Sequence, residues 1–565
     1  MILGIDLGTT NSLVGVFEDA GPRLLRNALG DLLTPSVVSV DEAGQVIVGR
    51  AARDRLITHP TQSVAAFKRL MGTGREIALG GKHFRPEELS ALVLRSLLAD
   101  AKDALGQDVR EAVISVPAYF GDAQRRATRA AGELAGIKVE RLINEPTAAA
   151  LAYGLDERLD GSTFIVLDLG GGTFDVSILE IFDGVMKVHA SAGDNRLGGE
   201  DFVAVMADAC ARDLRLHEPM FTPRDRSQIL AAMERLKIEL SARPSGEARF
   251  LIGDKTYEWQ LTEERFSQLA EPLMQRLRKP VERAMRDAQI GSADLAEVVL
   301  VGGASRMPMV ARLVARMFGR LPLRHVNPDE AIARGACVAG GMKSRHAALE
   351  EVVMTDVCPY TLGVMVAMQD ERGNVSSGHF SPIIDRNLTV PVSRSGVYFP
   401  TREGQTKVDL EVYQGESPFV AHNVHLGTLR VPLAPGLPHD DSGVEVRFTY
   451  DVNGVLQVEA TVLANKQKHE LILVGGEADL DEKEIRERLA RLEALKVHPR
   501  AQQENVAAMA RAERVYEELL GDDRHALQQW LIRFQGALDR QDVVAIERIR
   551  SELIELLDQL EGVPG

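Results

Sequence analysis

Apolar and polar positions divide the chain into three textures. Up to about residue 348, short apolar runs such as "AVISV" (112–116), "FIVLDL" (164–169) and "VVLVGG" (298–303) alternate with longer stretches of helical period, which predicts α/β organisation. From about 358 to 475 the period falls to two. Val408, Leu410 and Val412 share one face of "KVDLEVYQG", and Val444, Val446 and Phe448 do the same before an Asn453-Gly454 turn, predicting an antiparallel sandwich. From about 479 acidic capping residues precede "EKEIRERLARLEAL", where Ile485, Leu489, Leu492 and Leu495 recur at helical spacing, so 476–565 is predicted to be a small helical bundle. Between the first two textures, "LEEVVMTD" (349–356) reads as a linker with an apolar middle.

Two apolar runs end alike. "LGIDLGTTNS" (3–12) and "VLDLGGGTFD" (166–175) both reach Asp-Leu-Gly, offer a threonine within four residues and continue as an alternating strand, so a β-hairpin is predicted twice. In a single hairpin the glycines need supply no more than positive φ in a tight turn. Two such hairpins can close on one anion from opposite sides. Bare amides form anion nests, a threonine hydroxyl adds a donor, and a carboxylate beside phosphate implies a bridging Mg²⁺. The expectation is a two-jawed phosphate clamp.

Composition narrows the setting. The 565 residues leave room for three or four domains, and 45% apolar content is enough for packed cores. A formal net charge of −16 opposes non-specific binding of nucleic acid or anionic membrane. Cys210, Cys337 and Cys358 have neither metal-ligand nor redox spacing, which suits a reducing compartment. Strand pattern begins at Ile2 and no apolar run approaches a membrane span, so a cytoplasmic protein is expected.

Further pieces suit a nucleotide. Lys68 stands in "AAFKRLMG", where on its own it could be solvated surface. Glu145 precedes a proline opening an alanine-rich helix, also a favourable place for any acid. In "VVLVGGASRMPMVARL", glycines after a strand allow close backbone approach of a ligand, and Arg306 could stack on a purine. No Walker A, G-x-S-x-G or H-E-x-x-H sequence occurs.

Assembled, these residues resemble the DnaK-type heat-shock chaperone family along nearly the whole chain. "GIDLGTTNS", "FKRLMG", "VISVPAYF", "RLINEPTAAALAYGL", "LDLGGGTFDVS", "GDNRLGGEDF", "VLVGGASRMP" and "NPDEAIARGA" stand in the family's order, followed by the linker and "YQGES". Shortened loops and a short helical tail look most like the HscC branch. The resemblance implies an actin-like, ribonuclease H-like two-lobed ATPase (1–348), a linker (349–357), a peptide-binding β-sandwich (358–475) and a helical lid (476–565). Its cofactors would be ATP or ADP and Mg²⁺, with K⁺ as an accompanying cation.

Residue by residue, the resemblance makes Asp6, Gly8, Thr9, Thr10 and Asn11 the first phosphate hairpin and Asp168, Gly171, Gly172 and Thr173 the second. Lys68 would polarise the attacking water and γ-phosphate. Glu145, Asp168 and Asp175 would organise water and metal, with Asp6 also on the metal. Glu234, Lys237, Ser241, Gly303 and Arg306 would hold the adenosine. Pro117 and Arg125 match interlobe relay positions. Val364, Val366, Tyr398, Val408, Leu410 and Val444 match the peptide site, although their pattern equally describes sandwich core. Arg141, Asn144, Val352, Val353, Met354 and Asp356 match linker and co-chaperone positions.

Departures shape the partner expectations. The stretches Gly72 to Phe84 and Ser241 to Tyr257 are shorter than in general-purpose members, so a need for an exchange factor does not carry over. Ala367 and Thr401 stand at positions that arch over the peptide in relatives, implying a more open pocket. Lys187 replaces an acid that meets the J-domain, favouring a dedicated J-domain partner, and Thr355 stands where relatives commonly carry leucine. Clients would be unfolded or regulatory proteins bound through apolar segments. An actin-fold small-molecule kinase and a filament-forming actin relative share the hairpins, but neither explains residues 358–565.

Overall fold

The computed structural model describes residues 1–473 apart from 43, 155–160, 183–184, 217–220, 254, 324–325, 347–348, 350–352, 370–374, 403, 434–441 and 452–453, together with 505, 508–509, 511–512, 515–516 and 521–560. Val352, Asn453, Ile485, Leu489, Leu492 and Leu495 lie outside the described residues.

The α/β part repeats one plan. In the first lobe the sheet runs Lys138–Asn144, Glu111–Val116, Leu3–Asp6, Asn11–Glu18, Gly21–Leu24; in the second it runs Glu297–Val301, Ser162–Leu169, Phe174–Phe182, Val185–Asp194, Val353–Met354. Each has a hairpin, Leu3–Asp6 with Asn11–Glu18 or Ser162–Leu169 with Phe174–Phe182, and a parallel strand beside the hairpin's first member. Both predicted hairpins are therefore present, in equivalent positions.

Between the sheets lie the helices Glu145–Gly154 and Ala331–Lys343, and their composition explains how close they come. Ala148, Ala149, Ala150, Ala336 and Ala339 are buried with Ile2, Val113, Phe164, Val166 and Val299 in one core. A Cβ at Gly335 would fall on the Ala148 carbonyl, and one at Gly4 on the Cys337 backbone. The small-residue runs "TAAALAYG" and "ARGACVAGG" thus bring both lobes onto a common spine.

Period two becomes a sandwich. One sheet orders Val375–Ile384, Leu362–Gln369, Lys407–Gln414 and Val424–Pro432; the other orders Val392–Tyr398, Val444–Tyr450, Leu456–Val462 and Lys468–Leu473. Val412, Val446, Phe448, Val458 and Ala460 are fully buried between them. Gly454 takes φ 84 in the turn from Tyr450 to Leu456, as the predicted hairpin needs. In the C-terminal part, Gly521–Arg540 and Val543–Leu560 pack Leu527, Phe534, Ala537, Leu553 and Leu557 against Ala512 and Val515.

Candidate functional site

The two hairpins face each other across a cleft of about 730 Å³, lined by Asp6, Gly8, Thr9, Thr10 and Asn11 on one side and Asp168, Gly170, Gly171 and Thr173 on the other. The glycines are there for a different reason from the one the sequence suggests. None of Gly8, Gly170, Gly171 and Gly172 has a positive φ. Close approach of the facing lobe selects Gly171 and Gly172 instead: a Cβ on Gly171 would land on the Thr10 hydroxyl, and one on Gly172 would press on Thr9 and Arg69 at 2.9 Å. Any side chain there would hold the jaws apart.

Charge is concentrated at the cleft floor. Lys68, on a short 3₁₀ turn, is buried and paired with Glu145 at 2.7 Å, and its Nζ lies 5.7 Å from the Phe120 ring centroid. Asp6 accepts from the Ser115 hydroxyl at 2.7 Å and Asp175 from the Tyr119 N–H at 2.9 Å. Both Asp168 oxygens are buried with no hydrogen-bond partner, as is Asp175 Oδ2. Burial first, and the neighbouring Glu145 next, push the Asp175 carboxyl up to about 7; Asp6 moves upward for the same two reasons and Asp168 well upward.

Unpartnered hard oxygens beside a phosphate-sized cleft fit Mg²⁺. Among the described residues no three His, Cys, Asp or Glu side chains converge to cage a metal by themselves. Asp6 and Asp168 would therefore hold an ion that keeps waters and takes phosphate oxygens, the usual habit of Mg²⁺. The raised carboxyls predict a pH signature. A folded-state pKa above the unfolded value of ~3.9 gives stability that is complete at low pH and lost as pH climbs through the folded pKa. For Asp175 the loss spans roughly pH 4 to the folded value of about 7. Mg²⁺ with nucleotide should thus raise the melting temperature more at pH 8 than at pH 5. An equal gain at both would contradict an ion held by this cluster.

Glu234, Lys237, Ser241, Gly303 and Arg306 line the remainder of the cleft. Lys237 binds Glu234 at 2.7 Å and the Gly199 carbonyl at 3.2 Å, while Ser241 bonds back to the Lys237 carbonyl at 3.1 Å. Asp329 (2.6 Å) and Asn327 (2.6 Å) hold the Arg306 guanidinium opposite them. These side chains leave a slot between a fixed guanidinium and the helix Pro223–Leu240, suited to a flat base.

With this geometry in place, comparison with known proteins is decisive. The family described as "Hsp70 protein" matches residues 2–78 and 73–558. The chain belongs to the Hsp70 family. This Hsp70 is 36% identical to "Chaperone protein DnaK" of Thermosipho africanus over 98% of its own length and 94% of that protein's. It is 35% identical to the same-named protein of Thermotoga neapolitana (98% and 95%), and 39% identical to "Chaperone protein dnaK3" of Thermosynechococcus vestitus (98% and 84%). The kinase and filament alternatives are set aside by this assignment.

In this Hsp70 the linker is docked. Val353 and Met354 pair in parallel with Val185 and Met186 as the last strand of the second lobe's sheet, and the Thr355 N–H donates to the Met186 carbonyl at 2.9 Å. The Thr355 hydroxyl is buried without a partner. Next to it, Asn144 Nδ2 donates to both oxygens of half-buried Asp356, at 2.9 and 2.8 Å, and Arg125 donates to Asn144 Oδ1 at 2.6 Å. Arg125 also holds the Phe120 and Ala118 carbonyls, and Pro117 accepts from the Phe120 N–H. Arg125, Asn144 and Asp356 therefore form one chain of hydrogen bonds from the Ala118 and Phe120 carbonyls to the linker, while Arg141 Nε is buried without a partner. Burial lowers the Arg141 guanidinium pKa and the Asp356 charge opposes that shift. Lys187 lies on the strand Val185–Asp194 that the linker joins, opposite Glu180.

Contacts between lobe and sandwich were not among the sequence expectations. Arg386 forks onto Asp287 at 2.8 and 2.9 Å and pairs with Glu416; Asn387 adds bonds to Asp287 and to the Ser191 N–H. Tyr360 reaches Tyr119, and Gln414 reaches the Asp122 N–H. No local motif marks these residues, because their partners lie about 100 to 290 positions away in sequence.

The candidate peptide residues separate by depth. Val364, Leu410 and Val444 belong to the sandwich core, whereas Val366, Val408 and Tyr398 are half-buried at its margin. Tyr398 Oη lies 3.1 Å from the Ser381 hydroxyl. Val397 and Phe399 beside it are about half exposed, at 50% and 47%.

Proposed function

We infer that this Hsp70 is an ATP-dependent molecular chaperone that holds extended apolar segments of client proteins and couples their release to its nucleotide state. The observation that carries the coupling is the linker paired onto the second lobe's sheet, with Asp356 tied through Asn144 and Arg125 to the Ala118 and Phe120 carbonyls. In this reading residues 1–348 are the ATPase, 349–357 the linker, 358–475 the peptide-binding sandwich and 476–565 the lid.

Bound Mg²⁺ would supply charge neutralisation on the phosphates, with K⁺ as an accompanying cation. The chain's own part is positioning. Thr9, Thr10, Asn11, Gly171, Gly172 and Thr173 present amides and hydroxyls to the phosphates from two sides, Lys68 orients the water, and Glu145 and Asp175 accept its hydrogen bonds. Glu234, Lys237, Ser241, Gly303 and Arg306 orient the adenosine. A cytoplasmic location belongs to the same proposal, supported by three buried cysteines with free thiols. Lys187 in place of an acid supports a dedicated J-domain partner, and the shortened stretches Gly72 to Phe84 and Ser241 to Tyr257 support kinship with the HscC branch.

The test is stimulation of ATP hydrolysis. An apolar peptide should accelerate it and sugars should not; the reverse pattern would favour a kinase. Val408→Phe should weaken apolar peptide binding by about tenfold or more, because a ring added at the half-buried margin occupies the volume a client side chain needs. Basal hydrolysis should stay unchanged. Fluorescence anisotropy of a labelled peptide measures the first and phosphate release the second, and full affinity in the folded variant would move the peptide site elsewhere.

A further inference from the structure

The backbone of one residue joins three parts of the molecule. Tyr119 follows the strand Glu111–Val116 of the first lobe, and its N–H donates to Asp175 of the second lobe's hairpin at 2.9 Å. Its carbonyl accepts twice, from Asn195 Nδ2 of the second lobe and from the hydroxyl of Tyr360 in the sandwich, both at 2.7 Å. The Tyr119 and Tyr360 rings lie 4.5 Å apart between centroids, and Arg283 donates to the Tyr119 hydroxyl at 3.0 Å. Space for this junction is provided by Gly193, where a Cβ would meet both Tyr119 Cβ (2.8 Å) and Asp175 Oδ1 (2.9 Å). The next residue, Phe120, is the ring beneath Lys68.

We propose that Tyr360 is a positioning residue for ATP hydrolysis, its hydroxyl pinning the Tyr119 carbonyl and thereby the segment 117–120 that sets Asp175 and Lys68. The inference rests on the coupled ATPase reading above and names the side chain through which the sandwich touches the chemistry. Its logic is geometric. A hydrogen bond from Tyr360 exists only while the sandwich is docked, so the catalytic segment is held in one arrangement with the domains together and in another with them apart. In that docked arrangement Lys68 is committed to Glu145 at 2.7 Å. A chaperone that spent its nucleotide before a client arrived would not couple the two events, so the pinned state is the slow one.

Tyr360→Phe keeps the ring and removes the pin. In the full-length protein with Mg²⁺ and saturating ATP, single-turnover hydrolysis without peptide should rise by about three- to tenfold, the scale of one neutral hydrogen bond, while ATP affinity stays within about twofold. Stimulation by an apolar peptide should shrink by the same factor. Protection of the linker from protease in ATP should persist, since the ring contact and the Arg386–Asp287 fork remain. An unchanged peptide-free rate overturns the proposal. So does a faster rate accompanied by loss of linker protection, because Tyr360 would then act only by holding domains together. Asn195→Ala, which frees the same carbonyl from its other donor, should act in the same direction, and a variant with both changes should gain less than the product of the two. The peptide-free rate involves no client, so a wild-type protein without peptide stimulation would count against the coupled-chaperone reading and not against the pin.

Discussion

Lys68→Ala is expected to slow single-turnover ATP hydrolysis by roughly 10²-fold or more while leaving ATP affinity within about tenfold, the difference that marks a group used for positioning and charge stabilisation. Lys68 is the buried ammonium set against Asp6, Glu145, Asp168 and Asp175. Removing it strips Glu145 of its 2.7 Å partner and leaves the acids to repel one another. A buried charge deprived of its partner typically costs about 3–5 kcal/mol, so the variant should also melt earlier, most clearly without Mg²⁺. Rapid-quench kinetics and thermal melts on one preparation separate the two effects. Turnover near the wild-type rate in the folded variant would retire the assignment.

The second large effect is expected at Thr355. Its N–H is used, docking the linker on Met186, but its hydroxyl is buried with nothing to bond. An unsatisfied buried hydroxyl costs about 1–3 kcal/mol, as much as a whole interdomain coupling is commonly worth. Thr355→Val removes that penalty at nearly constant volume, and Thr355→Leu adds apolar burial as well. Both should favour the docked linker, so the ratio of peptide dissociation rates with ATP and with ADP should rise by roughly tenfold in the valine variant, and further in the leucine variant. If the three proteins share one ratio, linker docking does not carry the signal.

What the sequence revealed depended on whether the relevant residues were neighbours. Asp6 to Asn11 and Asp168 to Asp175 sit in two short runs whose chemistry is visible in place, and their pairing follows from the repeat. The β-sandwich was legible for a related reason, since alternation at Val444, Val446 and Phe448 fixes which face is buried. Alternation does not report depth: Val408 and Leu410 share a face, yet one lies at the margin and the other in the core. Gly171 and Gly172 show a second limit, because a turn glycine looks the same in sequence whether φ or a facing hairpin demands it. Tyr119, Tyr360, Asp287 and Arg386 show a third. Their function exists only once two domains meet, and nothing local in sequence encodes that meeting.

The composition of that meeting surface has a consequence for solubility. The hydrogen bonds that join sandwich and lobe include an Arg386–Asp287 fork, the Asn387 and Gln414 amides and the Tyr360 hydroxyl. Groups of this kind are welcome in water, so on parting of the domains each of them exchanges its partner for solvent. These polar joints therefore add no apolar patch of their own to a separated form, which limits what they contribute to aggregation when the domains part.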